Sequence, residues 1–265
     1  MNDAELIVER EGALVTLTLN RPEVRNALSP GMRDGLLKAV GDVQVDSSVH
    51  AVLLRGAGEH FCSGGDVKAM ADGGTPTAQA RLERMRSYHP LIIGLAQLDR
   101  PVVAAVDGVA YGAGFGLALL ADIMIVSSRA RFCMAFQRVG LVPDFGASYS
   151  LPRAVGMQRA KEIMLSAREI HAEEAVSLGL ALETVAAGCL HERAKAVALA
   201  LADASPVATG LTKRMLQAAP SAGLPQMLEM ESTAQSVAAT SAYAAQAFAA
   251  FARKQPARFR WPARE

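Results

Sequence analysis

The chain has 265 residues, 51% of them hydrophobic, enough to bury one large core with at most a small appendage. Its 27 basic and 26 acidic residues give a formal charge of +1, with no run of five Lys/Arg, so there is no nucleic-acid footprint. Three widely spaced cysteines, Cys62, Cys133 and Cys189, and an N-terminus "MNDAELIVEREG" without an apolar segment point away from a disulfide framework or signal peptide and towards a soluble, cytoplasmic protein.

"ALVTLTLN" (13–20) alternates Val15, Leu17 and Leu19 with Thr16 and Thr18, which predicts a strand with one wet face. A loop, "NRPEVRNALSPGM", follows. Ser29-Pro30 then supplies cap and first-turn residues for a helix towards Gln44. "AVLLRG" (51–56) predicts a second strand, ending in the glycine-rich "GAGEHFCSGGD". A short helix and a breaker at Gly73-Gly74 mark 71–80 as a candidate mobile loop. The spacing next predicts one long helix over 76–98, kinked at Pro90.

"PVVAAVDG" (101–108) is continuously apolar and reads as a buried strand. "YGAGFGLALLA" reads as a turn entering a helix, and "DIMIVS" and "RFCMAF" as strands. The longest apolar run, "GVAYGAGFGLALLADIMIV", contains Asp122 and four glycines and falls short of the roughly 20 apolar residues of a membrane span. Helices are expected over 157–166, 172–178 and 190–204, with a short strand "ALETVA" between, and an Ala-rich helical piece from Ser205-Pro206 to about Lys254. The organisation expected is an α/β core over 1–205 and a helical region over 206–265.

Two loops share one grammar. "HFCSGGD" (60–66) and "DGVAYGAGFG" (107–116) each follow an apolar strand, are glycine-rich and lead into a helix. Such turns leave backbone N–H groups unpaired at the positive end of a helix, and two that converge can hold a developing oxyanion. Glycines that merely permit tight packing are the bland alternative. The second loop is not a dinucleotide fingerprint, because the third glycine of G-x-G-x-x-G would fall at Leu117. The five histidines show no metal-ligand spacing, no G-x-S-x-G elbow exists, and Cys62 and Cys133 sit in apolar stretches as packed thiols. Asp144, in "GLVPDFGASYSLPRAVG", is a lone acid among apolar residues and glycines. It reads either as a helix cap for a helix starting near Gly146 or as a group placed for chemistry.

Five stretches, "LTLNRPEVRNALS", "HFCSGGDVKAM", "RPVVAAVDGVAYGAGFGLALLADIMI", "FQRVGLVPDFGASYSLPRAVG" and "FARKQPARF", fall in the order found in the crotonase superfamily, the enoyl-CoA hydratase/isomerase family, which the chain resembles along nearly its whole length. The resemblance implies an α/β fold, a spiral of ββα units with a C-terminal helical region used in trimer contacts, and homotrimers that commonly pair into hexamers. It implies an acyl-CoA thioester substrate and no cofactor, coenzyme A being part of the substrate. It also implies that the backbone N–H groups of Gly65 and Ala113 stabilise the thioester enolate. By motif position, Arg25, Ala27, Ser63, Gly64, Asp66, Val67 and Lys68 would line the adenine and pantetheine sites, Phe136 the acyl pocket, and Lys254 would reach phosphates. Ordinary solvated charge is the alternative for Arg25, Lys68 and Lys254.

The departures bear on the activity. The family's hydratases use two glutamates to activate water. Gly116 and Phe136 stand at those two positions here, and neither can act as acid or base. Asp144 instead occupies the slot of the family's isomerases. These include 3,2-enoyl-CoA and dienoyl-CoA isomerases and the ring isomerase of phenylacetate breakdown. One carboxylate suffices for a 1,3-proton shift. A dry lining of Phe136, Val142 and Phe145 would raise its pKa towards neutrality. The resemblance leaves open an enoyl-CoA hydratase, an aryl-CoA dehalogenase, which carries Trp at the position of Phe136, and a non-catalytic acyl-CoA-binding paralogue.

Overall fold

The computed structural model describes residues 4–66 and 77–263. Among them, six strands form one sheet in the order β1 (Leu6–Glu11), β2 (Leu14–Leu19), β3 (Ala51–Gly56), β4 (Val102–Val106), β6 (Ile123–Ser127), β9 (Glu183–Val185). β1 is antiparallel to β2 and every later pairing is parallel. A smaller sheet joins β5 (Val109–Tyr111), β7 (Arg131–Cys133) and β8 (Glu169–His171).

The period-2 alternation of the strands sorts side chains into two layers. Val52, Leu54, Val102, Ala104 and Val106 join the larger core with Met32, Leu36, Val40 and Val43 of α1 (Pro30–Val45). Ala51, Leu53, Val103, Ala105 and Ile125 face Leu190, Ala194, Val197 and Ala198 of α8 (Leu190–Ala202). Each fully buried Leu or Val contributes about 1.5–3 kcal/mol. The parallel strands are covered on both faces, so they read as continuous apolar runs. This cover also corrects the expected wet face of β2, where Thr16 is half-buried and Thr18 only 6% exposed.

Ser29 caps α1 by accepting from Met32 N at 3.0 Å. The single kinked helix expected over 76–98 is two helices, α2 (Ala78–Arg86) and α3 (His89–Ala96). Pro90 lies in the first turn of α3, because its ring would collide with the carbonyl four residues back in a continuous helix. The segment after Ser205 is likewise three helices: α9 (Pro206–Ala218), α10 (Leu224–Ala239) and α11 (Ala242–Ala252). Lys213 of α9 donates to Asp122 Oδ2 at 2.5 Å and to the Arg100 carbonyl at 2.7 Å, pinning this helix to the start of β4. The tail returns to α8, where Arg193 donates to the Ala263 carbonyl at 2.6 Å. No helix among the described residues is long and apolar enough to cross a membrane.

Candidate active site

The two glycine loops are laced together. Phe61 N donates to Asp107 O at 2.8 Å, Cys62 N to Val109 O at 3.0 Å, and Tyr111 N back to Cys62 O at 2.9 Å. Gly64 has φ +98°, and a Cβ there would lie 2.7 Å from Tyr111 O and 3.5 Å from Ala113 N, so only glycine lets the loops close this far. Ala113 opens α4 (Ala113–Ala118), and Gly65, within the first loop, forms an isolated parallel bridge with Leu28. Neither of their amides donates to a backbone acceptor among the described residues. Two unpaired donors on converging turns fit an oxyanion site.

A third segment is stitched to the same place. Leu28 N donates to Gly64 O at 2.8 Å and Ser63 N to Arg25 O at 2.9 Å. The structure therefore brings Arg25, Ala27, Ser63, Gly64 and Gly65 together. The Arg25 side chain is exposed, whereas Ala27 is buried. Asp66 is held by Arg21 at 3.3 Å. Val67, Lys68 and most of the expected mobile loop lie outside the described residues. Lys254 is exposed just past α11, which packs on α10, and forms no ion pair with a described residue.

Asn26 organises this corner and was not singled out from the sequence. It is fully buried, with its Nδ2 donating to Ala57 O at 2.9 Å and His60 O at 2.7 Å and its Oδ1 accepting from Arg21 N at 2.9 Å. Arg25 and Asn26 are consecutive left-handed residues (φ 55° and 56°). The available signal was an Asn between two elements, since Asn tolerates that conformation better than most residues.

Asp144 lies between a 3-10 turn (Ala135–Val139) and α5 (Ala147–Val155). The helix-cap reading is overturned: Gly146 occupies the cap position and no side chain caps α5. The Asp144 carbonyl accepts from Ala147 N at 3.0 Å, leaving the carboxyl free of that duty. Oδ1 is buried, and no described residue donates to it. Burial pushes the carboxyl pKa up to about 6, against the opposing pull of Arg33 and Arg84. Phe145, 3% exposed, has φ +53°, a conformation costing about 1–2 kcal/mol for a bulky residue. Its ring lies 6.2 Å from that of Tyr88, which takes a hydrogen bond from Arg84 Nε at 2.7 Å and carries the Arg33 guanidinium 4.2 Å above its centroid.

The expected lining of Asp144 is corrected in one member. Val142 is 81% exposed, because the loop 140–143 turns its side chains outward. Phe136 is buried and its ring packs on the oxyanion loop: a Cβ on Gly112 would lie 3.6 Å from Phe136 Cζ. Gly116 lies against the Asp144–Phe145 backbone. A further carboxylate near this loop, Glu169, is engaged by the Tyr111 hydroxyl and lies 3.9 Å from Arg131. Cys62 is fully buried, and burial pushes its thiol up to about 12, as for a packed thiol rather than a nucleophile. Among the described residues no three His, Cys, Asp or Glu side chains converge as metal ligands would. The arrangement can stabilise an oxyanion and move one proton.

The chain is similar in sequence and fold to known proteins. The family model described as enoyl-CoA hydratase/isomerase matches residues 9–261. The chain is 36% identical over 250 residues to the 1,2-epoxyphenylacetyl-CoA isomerase of Escherichia coli (strain K12), covering 94% of this chain and 95% of that protein. It is 35% identical over 230 residues to the short-chain-enoyl-CoA hydratase of Clostridium acetobutylicum, covering 86% and 87%. The crystal structure of an enoyl-CoA hydratase/isomerase from Cupriavidus metallidurans CH34 superposes with a TM-score of 0.93 at 37% identity, covering 98% of both chains. The fold is a crotonase-type α/β fold with a helical C-terminal region. Family model, relatives and fold coincide: the chain belongs to the enoyl-CoA hydratase/isomerase family.

Proposed function

We propose that the protein is an acyl-CoA isomerase that shifts a double bond by 1,3-proton transfer through a thioester enolate, with Asp144 carrying the proton. The thioester oxygen takes hydrogen bonds from Gly65 and Ala113 N–H as charge develops on it. Asp144 removes a proton from one carbon, holds it as the neutral acid, and returns it two carbons away. A carboxyl raised to about 6 is matched to both halves of that task near neutral pH. Its dry seat keeps water from competing for the intermediate.

The carrying observation is the buried, unpartnered Asp144 Oδ1 beside a helix that offers Gly116, and a neighbouring ring, Phe136, where hydration would need carboxylates. The Escherichia coli relative named as an isomerase adds support. The acyl-CoA is proposed to run along Arg25–Ala27 and Ser63–Lys68, with the acyl group against Phe136 and the phosphates within reach of Arg25, Lys68 or Lys254. No cofactor is required. The protein is proposed to work as a homo-oligomer, a trimer or hexamer. Hydration is the second reading, favoured by the Clostridium relative.

The test is isomerisation of a 3-enoyl-CoA by the wild type and by Asp144→Ala. The substitution is expected to lower kcat by about 10³-fold or more, as loss of the acid–base group requires. An Asp144→Ala enzyme retaining most of the wild-type rate overturns the assignment.

A further inference from the structure

Gly116 sits in the first turn of α4, with its N–H donating to Gly112 O at 3.0 Å. It lies three residues from Ala113, so the two share one face of the helix, about one turn apart. A Cβ at position 116 would meet Phe145 Cβ at 2.7 Å, the Phe145 carbonyl at 3.2 Å and the Asp144 carbonyl at 3.3 Å. Two of these atoms are backbone and the third is fixed to it, so no flexible side-chain tip can swing away. The turn itself is constrained, with Phe145 and Gly146 both left-handed (φ 53° and 73°). A buried Phe145 ring locks it from behind against Tyr88.

We infer that Gly116 is a positioning residue for Asp144: the missing side chain at 116 is the seat of the Asp144–Phe145 turn. Any side chain there displaces the base relative to the oxyanion donor on the same helix face. In this chain, then, a carboxylate at 116 and a correctly placed Asp144 exclude each other sterically. The glycine is more than the loss of a glutamate; it is required by the residue that replaces it. The inference rests on Asp144 being the proton carrier. Among the described residues, the charged groups facing Asp144 are Arg33 from α1 and Arg84 from α2. Displacement that wets the carboxyl brings it back towards the ordinary carboxylate range, with those arginines pulling the same way.

The experiment compares the wild type, Gly116→Ala and Asp144→Asn on a 3-enoyl-CoA across pH, with circular dichroism to verify folding. Gly116→Ala is expected to lower kcat about tenfold or more while KM changes less than about threefold, because the CoA-binding loops are untouched. The acid limb of kcat/KM is expected to move below the wild-type value, a change that a mere loss of stability would not produce. Wild-type kcat and an unmoved limb in Gly116→Ala, with Asp144→Asn inactive, overturn the positioning role alone. An Asp144→Asn that still isomerises overturns Asp144 as the proton carrier instead. If Gly116→Ala does not fold, the same change is made in a Phe145→Gly background, where the colliding Cβ is gone. There it must cost less folded, active enzyme than in the wild-type background, and an equal loss in both overturns the inference.

Discussion

Burying the Asp144 carboxylate with one oxygen unpartnered works against folding at neutral pH. The carboxyl is raised from 3.8 to about 6, so the folded chain holds its proton more tightly than the unfolded chain does. That contribution to stability is fully present below the unfolded value and is lost as pH rises through about 6. Above this window the ionised group costs up to about 3 kcal/mol. Asp144→Asn is therefore expected to raise Tm at about pH 7.5 and to leave it unchanged below about pH 4. Arg33→Met removes a positive charge facing the carboxyl. It should move the acid limb of kcat/KM to higher pH and lower the rate at about pH 6 by roughly two- to fivefold. At this scale the sequence was legible where chemistry shows in residue type. A lone acid in an apolar stretch drew attention to Asp144, and it was the resemblance to the family that marked Gly116 and Phe136 as positions where carboxylates would stand. Asn26 escaped because its work is done on backbone carbonyls, which leave no trace in spacing. Val142 was misjudged because side-chain direction in an irregular loop follows no period.

At the scale of elements, the oxyanion site depends on the first residue of α4. Ala113 can be replaced by proline at modest folding cost, since a first-turn residue has no intrahelical N–H bond to lose. Ala113→Pro is expected to fold and to lose about 10²–10³-fold in kcat, the usual effect of deleting one oxyanion donor, read by steady-state kinetics. A folded variant with the wild-type rate would remove Ala113 N–H from the mechanism. The elements that define this site were readable because buried parallel strands carry long apolar runs, as in Val102–Val106, and because glycine punctuates the turns after them. Three-residue strands such as β5 and β8 are too short for a pattern, and β1 lies exposed at a sheet edge. The break between α2 and α3 was anticipated only as a kink. Composition marks Pro90 as a disruption without saying which side of it starts anew.

The whole molecule divides its apolar surface unevenly. The sheet and its covering helices bury their side chains, whereas α10 and α11 leave Phe248 65% and Phe251 85% exposed, with Leu224, Leu228 and Val237 also exposed. Apolar surface of this extent on a helical arm is expected to be covered by further copies of the chain. Light scattering should report a trimer or hexamer, and Phe248→Ser/Phe251→Ser should shift it towards smaller species. A wild-type chain that remains monomeric at micromolar concentration would contradict the proposed assembly. The C-terminal region was legible as helical from its alanine content. Its division into three helices follows from Pro220 and Gly223 and from the cap at Ser241, which accepts from Ala244 N at 3.2 Å.

The central claim is that a single carboxylate against an oxyanion site isomerises and does not hydrate. Its most direct test measures, on one preparation of the wild type, the rate of 3-enoyl-CoA isomerisation beside the rate of crotonyl-CoA hydration. Isomerisation faster by about 10²-fold or more, and abolished by Asp144→Ala, is the predicted result. Hydration at a comparable rate that survives Asp144→Ala would contradict the account.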